Sequence, residues 1–267
     1  MTTWQLIKYS LAKLLYEMVG TYLFAMLFIC RSAPFPVFLG LWIVTSFCIR
    51  ISGAHFNPAI SFAFSLRKDT GGLPRKLAIT FILAQVLGAM LAGLTCLWIL
   101  PNVPAAEPFI IKWYDPIKDE WHHTVDNTFR DMIAEFAGSF CFTFFYLSQS
   151  EEKTVISSIE TIHCFVLAAA YVTARTIVRG NGVALCNYGA ILNPAIAIGI
   201  FFSAWFNDFG AAWKYVWLYP VFPLFGAVAA IFFFEFVYKK TQEMLNDHDR
   251  NSQDEPAPTK LEQEIDQ

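Results

Sequence analysis

One phrase occurs twice in this chain, and it limits the fold more than any other feature. Gly53-Ala54-His55-Phe56-Asn57-Pro58-Ala59-Ile60 and Gly189-Ala190-Ile191-Leu192-Asn193-Pro194-Ala195-Ile196 agree at six of eight positions. Each copy opens a short apolar segment, Pro58 to Leu66 and Pro194 to Ala204. A helix needs about 20 apolar residues to cross a bilayer, so segments of about ten can enter it but cannot span it. They read as re-entrant half-helices. Irregular backbone at membrane depth is tolerated only where protein or a water-filled cavity satisfies it, so the loops before Asn57 and Asn193 should line a polar path.

Six longer apolar segments surround the two short ones: about Tyr9 to Cys30, Val37 to Ile49, Leu77 to Leu100, Phe129 to Ser148, Ser157 to Val178 and Tyr215 to Tyr238. The second reaches spanning length if Ala33 to Pro36 forms its entry, with prolines in the first turn, where a missing N–H costs little. A further echo precedes each motif: Glu17 with Gly20-Thr21, and Glu135 with Gly138-Ser139. Each half thus holds three spans and one half-helix. Three is odd, so the second copy enters the membrane inverted and the half-helices meet from opposite faces.

The organisation expected is a first repeat with a long connecting loop (1–128), a second inverted repeat (129–238) and a polar tail (239–267) that reads as disordered. The fold class is all-α: six transmembrane helices plus two re-entrant half-helices. Basic residues favour cytoplasmic termini, with Lys8, Lys13, Arg67, Lys68, Arg75, Lys76, Lys153, Lys239 and Lys240 on one side against Arg31, Lys112, Lys118, Arg130, Arg179 and Lys214 on the other. The first apolar stretch lacks the features of a cleaved signal peptide and is expected to be a retained span.

Composition excludes several functions. Only 15% of residues are charged, and the net charge of -3 comes from the acidic tail, so no basic face is available for nucleic acid. Cys30, Cys48, Cys96, Cys141, Cys164 and Cys186 are scattered singly without CxxC spacing, which reads as buried reduced thiols and not as a metal site or disulfide scaffold. No His-Glu-x-x-His or comparable nucleophile-and-base pattern is present. No enzyme, metal or cofactor is therefore expected.

Asn is a good N-cap and Pro suits the first helical position, so Asn57-Pro58 and Asn193-Pro194 are expected helix starts. Two such N-termini facing each other disfavour cations. Each Asn oxygen can cap backbone while its nitrogen donates to a passing solute. Ala59 and Ala195 are small enough for close packing. Glu17 and Glu135 lie within spans, where a carboxylate is costly. A proton relay is one reading; the favoured one is that each accepts backbone N–H groups of a re-entrant loop and braces it. His55 is expected to shape its loop through a hydrogen bond, and His163 either lines the cytoplasmic half of the path or packs within its helix. Arg50 either complements a helix C-terminus or repels cations. The Phe142 to Phe145 and Phe232 to Phe236 runs are expected to pack against lipid or neighbouring helices.

Paired Gly-Ala-x-x-Asn-Pro-Ala motifs, each preceded by Glu-x-x-Gly-[Thr/Ser], resemble the aquaporin, or major intrinsic protein, family over about Leu11 to Val237. The resemblance implies a homotetramer with one pore per subunit, carrying water and small neutral solutes across a lipid bilayer. In water- and glycerol-selective members the second motif is followed by an Arg that forms a narrow constriction; here Ile196 stands there. The other constriction positions, counted from the motifs, are Val37, Asn181 and Ala190. The apolar residue after Asn-Pro-Ala and the run Trp217-Leu218-Tyr219-Pro220 resemble the unorthodox, or superaquaporin, subfamily. That likeness implies an endoplasmic-reticulum or other intracellular membrane, with the plasma membrane as the alternative, and glycerol and hydrogen peroxide as further solutes.

Overall fold

The computed structural model describes residues 3–30, 34–67, 71–99, 113–115, 120–122, 125–151, 153–179, 190–206 and 216–254. In chain order the helices are α1 (Thr3–Ile29), α2 (Pro34–Ser52), α3 (Pro58–Leu66), α4 (Arg75–Ile99), α5 (Val125–Gln149), α6 (Glu160–Arg179), α7 (Pro194–Trp205), α8 (Leu218–Phe233) and α9 (Lys239–Asp254). A π-helical turn, Phe234–Tyr238, joins the last two. Within the long polar connection, two three-residue strands, β1 (Trp113–Asp115) and β2 (Glu120–His122), pair antiparallel with Trp113 opposite His122. The sequence pattern gave no warning of that hairpin.

The described helices include five that are long and apolar enough to cross a membrane. The 25-residue α5 matches them in length but buries Asp131, Glu135, Ser139 and Thr143 at every fourth position, a polar stripe turned inward. Its neighbour α8 carries Pro223 inside the helix, and Ser139 donates to the Pro223 carbonyl at 2.8 Å. The protein is a multi-pass membrane protein whose described residues are helical apart from that one short hairpin, and the half-helices α3 and α7 begin at the two motifs.

Small residues set how closely the long helices approach. A Cβ on Gly88 of α4 would lie 2.2 Å from the Met18 carbonyl oxygen of α1, and one on Gly226 of α8 would lie 2.3 Å from the Phe136 carbonyl oxygen of α5. Met18 and Phe136 each follow one of the two glutamates, so the same backbone contact recurs in both halves. The half-helices dock just as tightly: Gly199 of α7 meets the Ala89 carbonyl of α4, and Ala59 and Ala63 of α3 cluster with Ala227 of α8. Lipid offers no hydrophobic drive for helix pairing, so such contacts carry the packing.

The tail differs from expectation. Lys239–Asp254 is helical, continuing α8 through the π turn. Its polar composition conceals ion pairs that hold its start: Lys239 Nζ lies 2.6 Å from Glu151 Oε1 and 3.7 Å from Glu235 Oε2, and Lys153 Nζ lies 3.6 Å from Glu243 Oε1. The buried Arg67, at the end of α3, joins the same cluster through Glu151 (3.0 Å) and Glu235 (3.3 Å). Residues 255–267 lie outside the described residues.

Candidate functional site

The chain enters each half-helix through a loop whose backbone is left-handed at alternate non-glycine residues. Ala54 and Phe56 have φ of 55° and 48°, and Ala190 and Leu192 have φ of 63° and 55°. These are equivalent positions of the two motifs. Such conformations cost of order 1–3 kcal/mol each and persist only when the surroundings enforce them.

The two glutamates sit where that enforcement is needed. Glu135 Oε1 accepts the Ile191 N–H at 2.6 Å and Oε2 accepts the Leu192 N–H at 2.8 Å. Glu17 accepts the equivalent pair, His55 N–H on Oε1 at 3.0 Å and Phe56 N–H on Oε2 at 2.9 Å. It also accepts from Ser52 Oγ at 2.6 Å and Gln85 Nε2 at 2.8 Å. The glycine three residues after each Glu makes room for the residue being braced. A Cβ on Gly20 would lie 2.0 Å from the Phe56 ring, and one on Gly138 would lie 2.5 Å from Leu192 Cδ2. The Glu-x-x-Gly echo is thus one device: the acid holds a loop N–H and the glycine admits that residue's side chain.

Beyond the loops, the half-helices meet N-terminus to N-terminus. Asn57 Oδ1 accepts the Ala59 N–H at 2.9 Å, and Asn193 Oδ1 accepts the Ala195 and Ile196 N–H groups at 3.0 and 3.3 Å. Pro58 and Pro194 occupy the first helical positions. The amide nitrogens cross over: Asn57 Nδ2 donates to the Leu192 carbonyl and Asn193 Nδ2 to the Phe56 carbonyl, both at 2.8 Å. Each motif therefore ties the carbonyl of the other's left-handed residue. An amide nitrogen has two hydrogens, so one donor per Asn is left beyond this lock.

Three of the four residues expected from the family resemblance to form a constriction fall within one contiguous apolar cluster: Val37 in the first turn of α2, Ala190 in the second loop and Ile196 in the first turn of α7, all buried. Asn181, the fourth, lies outside the described residues. The backbones of α1 and α6 do not pack together among the described residues, yet their side chains meet across the bundle. Phe24 contacts Tyr171 edge-on with ring centroids 4.9 Å apart, and one turn further along the Arg175 guanidinium carbon lies 4.1 Å from the Phe28 ring centre.

Several participants carried no motif. Tyr146 Oη donates to the Gly53 carbonyl at 2.5 Å and Tyr171 Oη to the Ile191 carbonyl at 2.9 Å, one tyrosine for each loop. Gln85 also donates to Ser61 Oγ at 2.8 Å, the atom that His55 Nδ1 meets at 3.1 Å. A lone Gln in an apolar span was the available signal for this network; nothing marked the tyrosines. Arg50, near the end of α2, pairs with Glu160 at the start of α6. His163 is half-buried within α6.

The family model described as Major intrinsic protein matches residues 33–234. The chain is 26% identical over 245 residues to a probable NIP-type aquaporin from Nicotiana alata, covering 85% of this chain and 78% of that protein. It is 29% identical over 196 residues to the glycerol uptake facilitator protein of Streptococcus pneumoniae, covering 69% and 74%. The X-ray structure of the aquaglyceroporin from Plasmodium falciparum superposes with a TM-score of 0.65 at 18% identity, covering 89% of this chain and 99% of that one, which shows the shared fold.

Proposed function

We propose, for a chain that belongs to the major intrinsic protein family, that it is a passive, non-enzymatic channel for water and small neutral solutes, glycerol and hydrogen peroxide among them. The observation that carries this reading is the reciprocal lock of Asn57 and Asn193. It fixes two helix N-termini head to head with one amide donor left on each Asn. Donors with positive ends behind them suit a neutral solute that can accept a hydrogen bond and repel a cation. The named relatives, an aquaporin and a glycerol facilitator, support the same solute class.

In this reading Asn57, Pro58, Ala59, Asn193, Pro194 and Ala195 form the central donor pair, Glu17 and Glu135 brace its loops, and Val37, Asn181, Ala190 and Ile196 line the outer constriction. With Ile196 in place of Arg, that constriction is drier on the wall formed by Val37, Ala190 and Ile196 and selects less by polarity. The chain assembles as a homotetramer with both termini cytoplasmic, in the endoplasmic reticulum or another intracellular membrane, or in the plasma membrane.

The test is osmotic shrinking and swelling of proteoliposomes holding the purified protein, followed by light scattering with water alone and then with a glycerol gradient. Fluxes linear in gradient and uncoupled to ions support the channel. Saturating, ion-coupled flux would identify a secondary carrier, and flux no greater than empty vesicles would leave a scaffold with an occluded pore.

A further inference from the structure

Two cysteines that sequence spacing leaves unrelated, 66 residues apart, converge at one end of the α1–α4 pair. Cys30 Sγ and Cys96 Sγ are 3.0 Å apart, and Cys96 Sγ lies 3.4 Å from Met26 Sδ. The convergence follows from the glycine contact already described. Gly88 seats on Met18, and the pairing holds eight residues further along both helices, where Cys96 reaches Met26. Between them Tyr22 Oη donates to Thr95 Oγ1 at 3.3 Å. Cys30 occupies the turn after the last residue of α1, and Cys96 lies in the last turn of α4. Both sit at the ends of their helices, Cys30 half-buried and Cys96 buried.

We propose that Cys30 and Cys96 are a redox pair that closes into an intramolecular disulfide when the protein meets a hydroperoxide. A disulfide holds its sulfurs about 2.0 Å apart, so these thiols need approach by only about 1 Å. Cys30 stands in the turn after the last residue of α1, and rotation of its side chain about χ1 can supply that movement. One thiolate attacks the peroxide oxygen, giving a sulfenic acid and expelling the other oxygen as hydroxide, which takes up a proton. The second thiol then attacks the sulfenic sulfur and expels its oxygen as water. In sum, two thiols and one hydrogen peroxide give one disulfide and two waters: the thiols are oxidised by two electrons and the peroxide is reduced by two. The neighbouring Cys96 captures the sulfenic acid before further oxidation, the role of a resolving cysteine. With the termini cytoplasmic, as proposed above, this end of α1 and α4 faces the lumenal or extracellular side, where disulfides persist. The bond itself does not depend on that orientation.

The experiment treats purified full-length protein with hydrogen peroxide, alkylates it under denaturing conditions with N-ethylmaleimide, and maps the digest by mass spectrometry. The expected result is a dithiothreitol-sensitive peptide linking Cys30 to Cys96, with alkylatable thiols falling from six per chain to four. In Cys96→Ser the link is lost and peroxide leaves sulfenic acid on Cys30. The proposal is overturned if both cysteines of the wild type stay alkylatable, if either pairs with another cysteine or another chain, or if peroxide drives them to sulfinic acid without a link. Mapping needs only the wild type, so a Cys96→Ser chain that fails to fold does not blunt the test. Absence of water flux alongside an intact link would remove the channel reading and leave this one standing.

Discussion

Replacing Glu135 separates a loop brace from a proton relay. Its two oxygens accept one backbone N–H each, from Ile191 and Leu192, and the site is fully buried. Glu135→Ala strands both donors, and an unsatisfied buried donor costs about 1–3 kcal/mol, so the expected loss is about 2–6 kcal/mol. Leu192, at φ 55°, then loses the contact that enforces its left-handed backbone, and its carbonyl, the acceptor for Asn57, moves with it. Glu135→Gln keeps one carbonyl acceptor and turns its amide toward the other N–H, which brings the loss down to about 1–3 kcal/mol. Thermal unfolding in detergent should therefore rank wild type above Gln above Ala, and water permeability per reconstituted protein should fall in the same order. Measured across pH, flux through the wild type should change little. A Gln variant as damaged as Ala, with wild-type flux that varies steeply with pH, would refute the brace and indicate a relay. Glu17 accepts twice as many hydrogen bonds, so Glu17→Ala should cost more than Glu135→Ala.

Asn57→Asp and Asn193→Asp remove the crossed amide donor and add negative charge between two helix N-termini; reduced glycerol and water flux with a new cation leak is expected, read by vesicle shrinking and by planar-bilayer conductance. Ile196→Arg restores bulk, donors and charge to the outer constriction and should lower glycerol permeation more than water permeation in the same vesicles, whereas an unchanged ratio would place selection elsewhere. Gly88→Ala and Gly226→Ala each drive a Cβ to within 2.2 and 2.3 Å of a backbone carbonyl oxygen. Each should destabilise by about 1–3 kcal/mol through overpacking, seen as a lower unfolding temperature.

What the sequence by itself determined follows from local chemistry and counting. The half-helices start where Asn precedes Pro because capping and a fixed proline φ act within one turn. The long helices lie where apolar runs exceed the membrane's thickness. The repeated Glu-x-x-Gly announced a shared task because the same acid recurred at the same place before each motif. Tertiary structure decided everything that needed two distant segments to meet. The crossed Asn amides join residues 135 and 137 positions apart, and Tyr146, Tyr171, Gln85 and Ser52 entered the network only because helix packing brought them to the loops. The helical tail was missed because the partners at its start, Glu151 for Lys239 and Lys153 for Glu243, lie in the connection after α5, where no pattern within the tail reports them. Cys30 and Cys96 looked unrelated for the same reason. Their 3.0 Å approach is set by a glycine two turns away that lets two helix backbones touch, and no spacing rule along the chain encodes a contact between parallel helices.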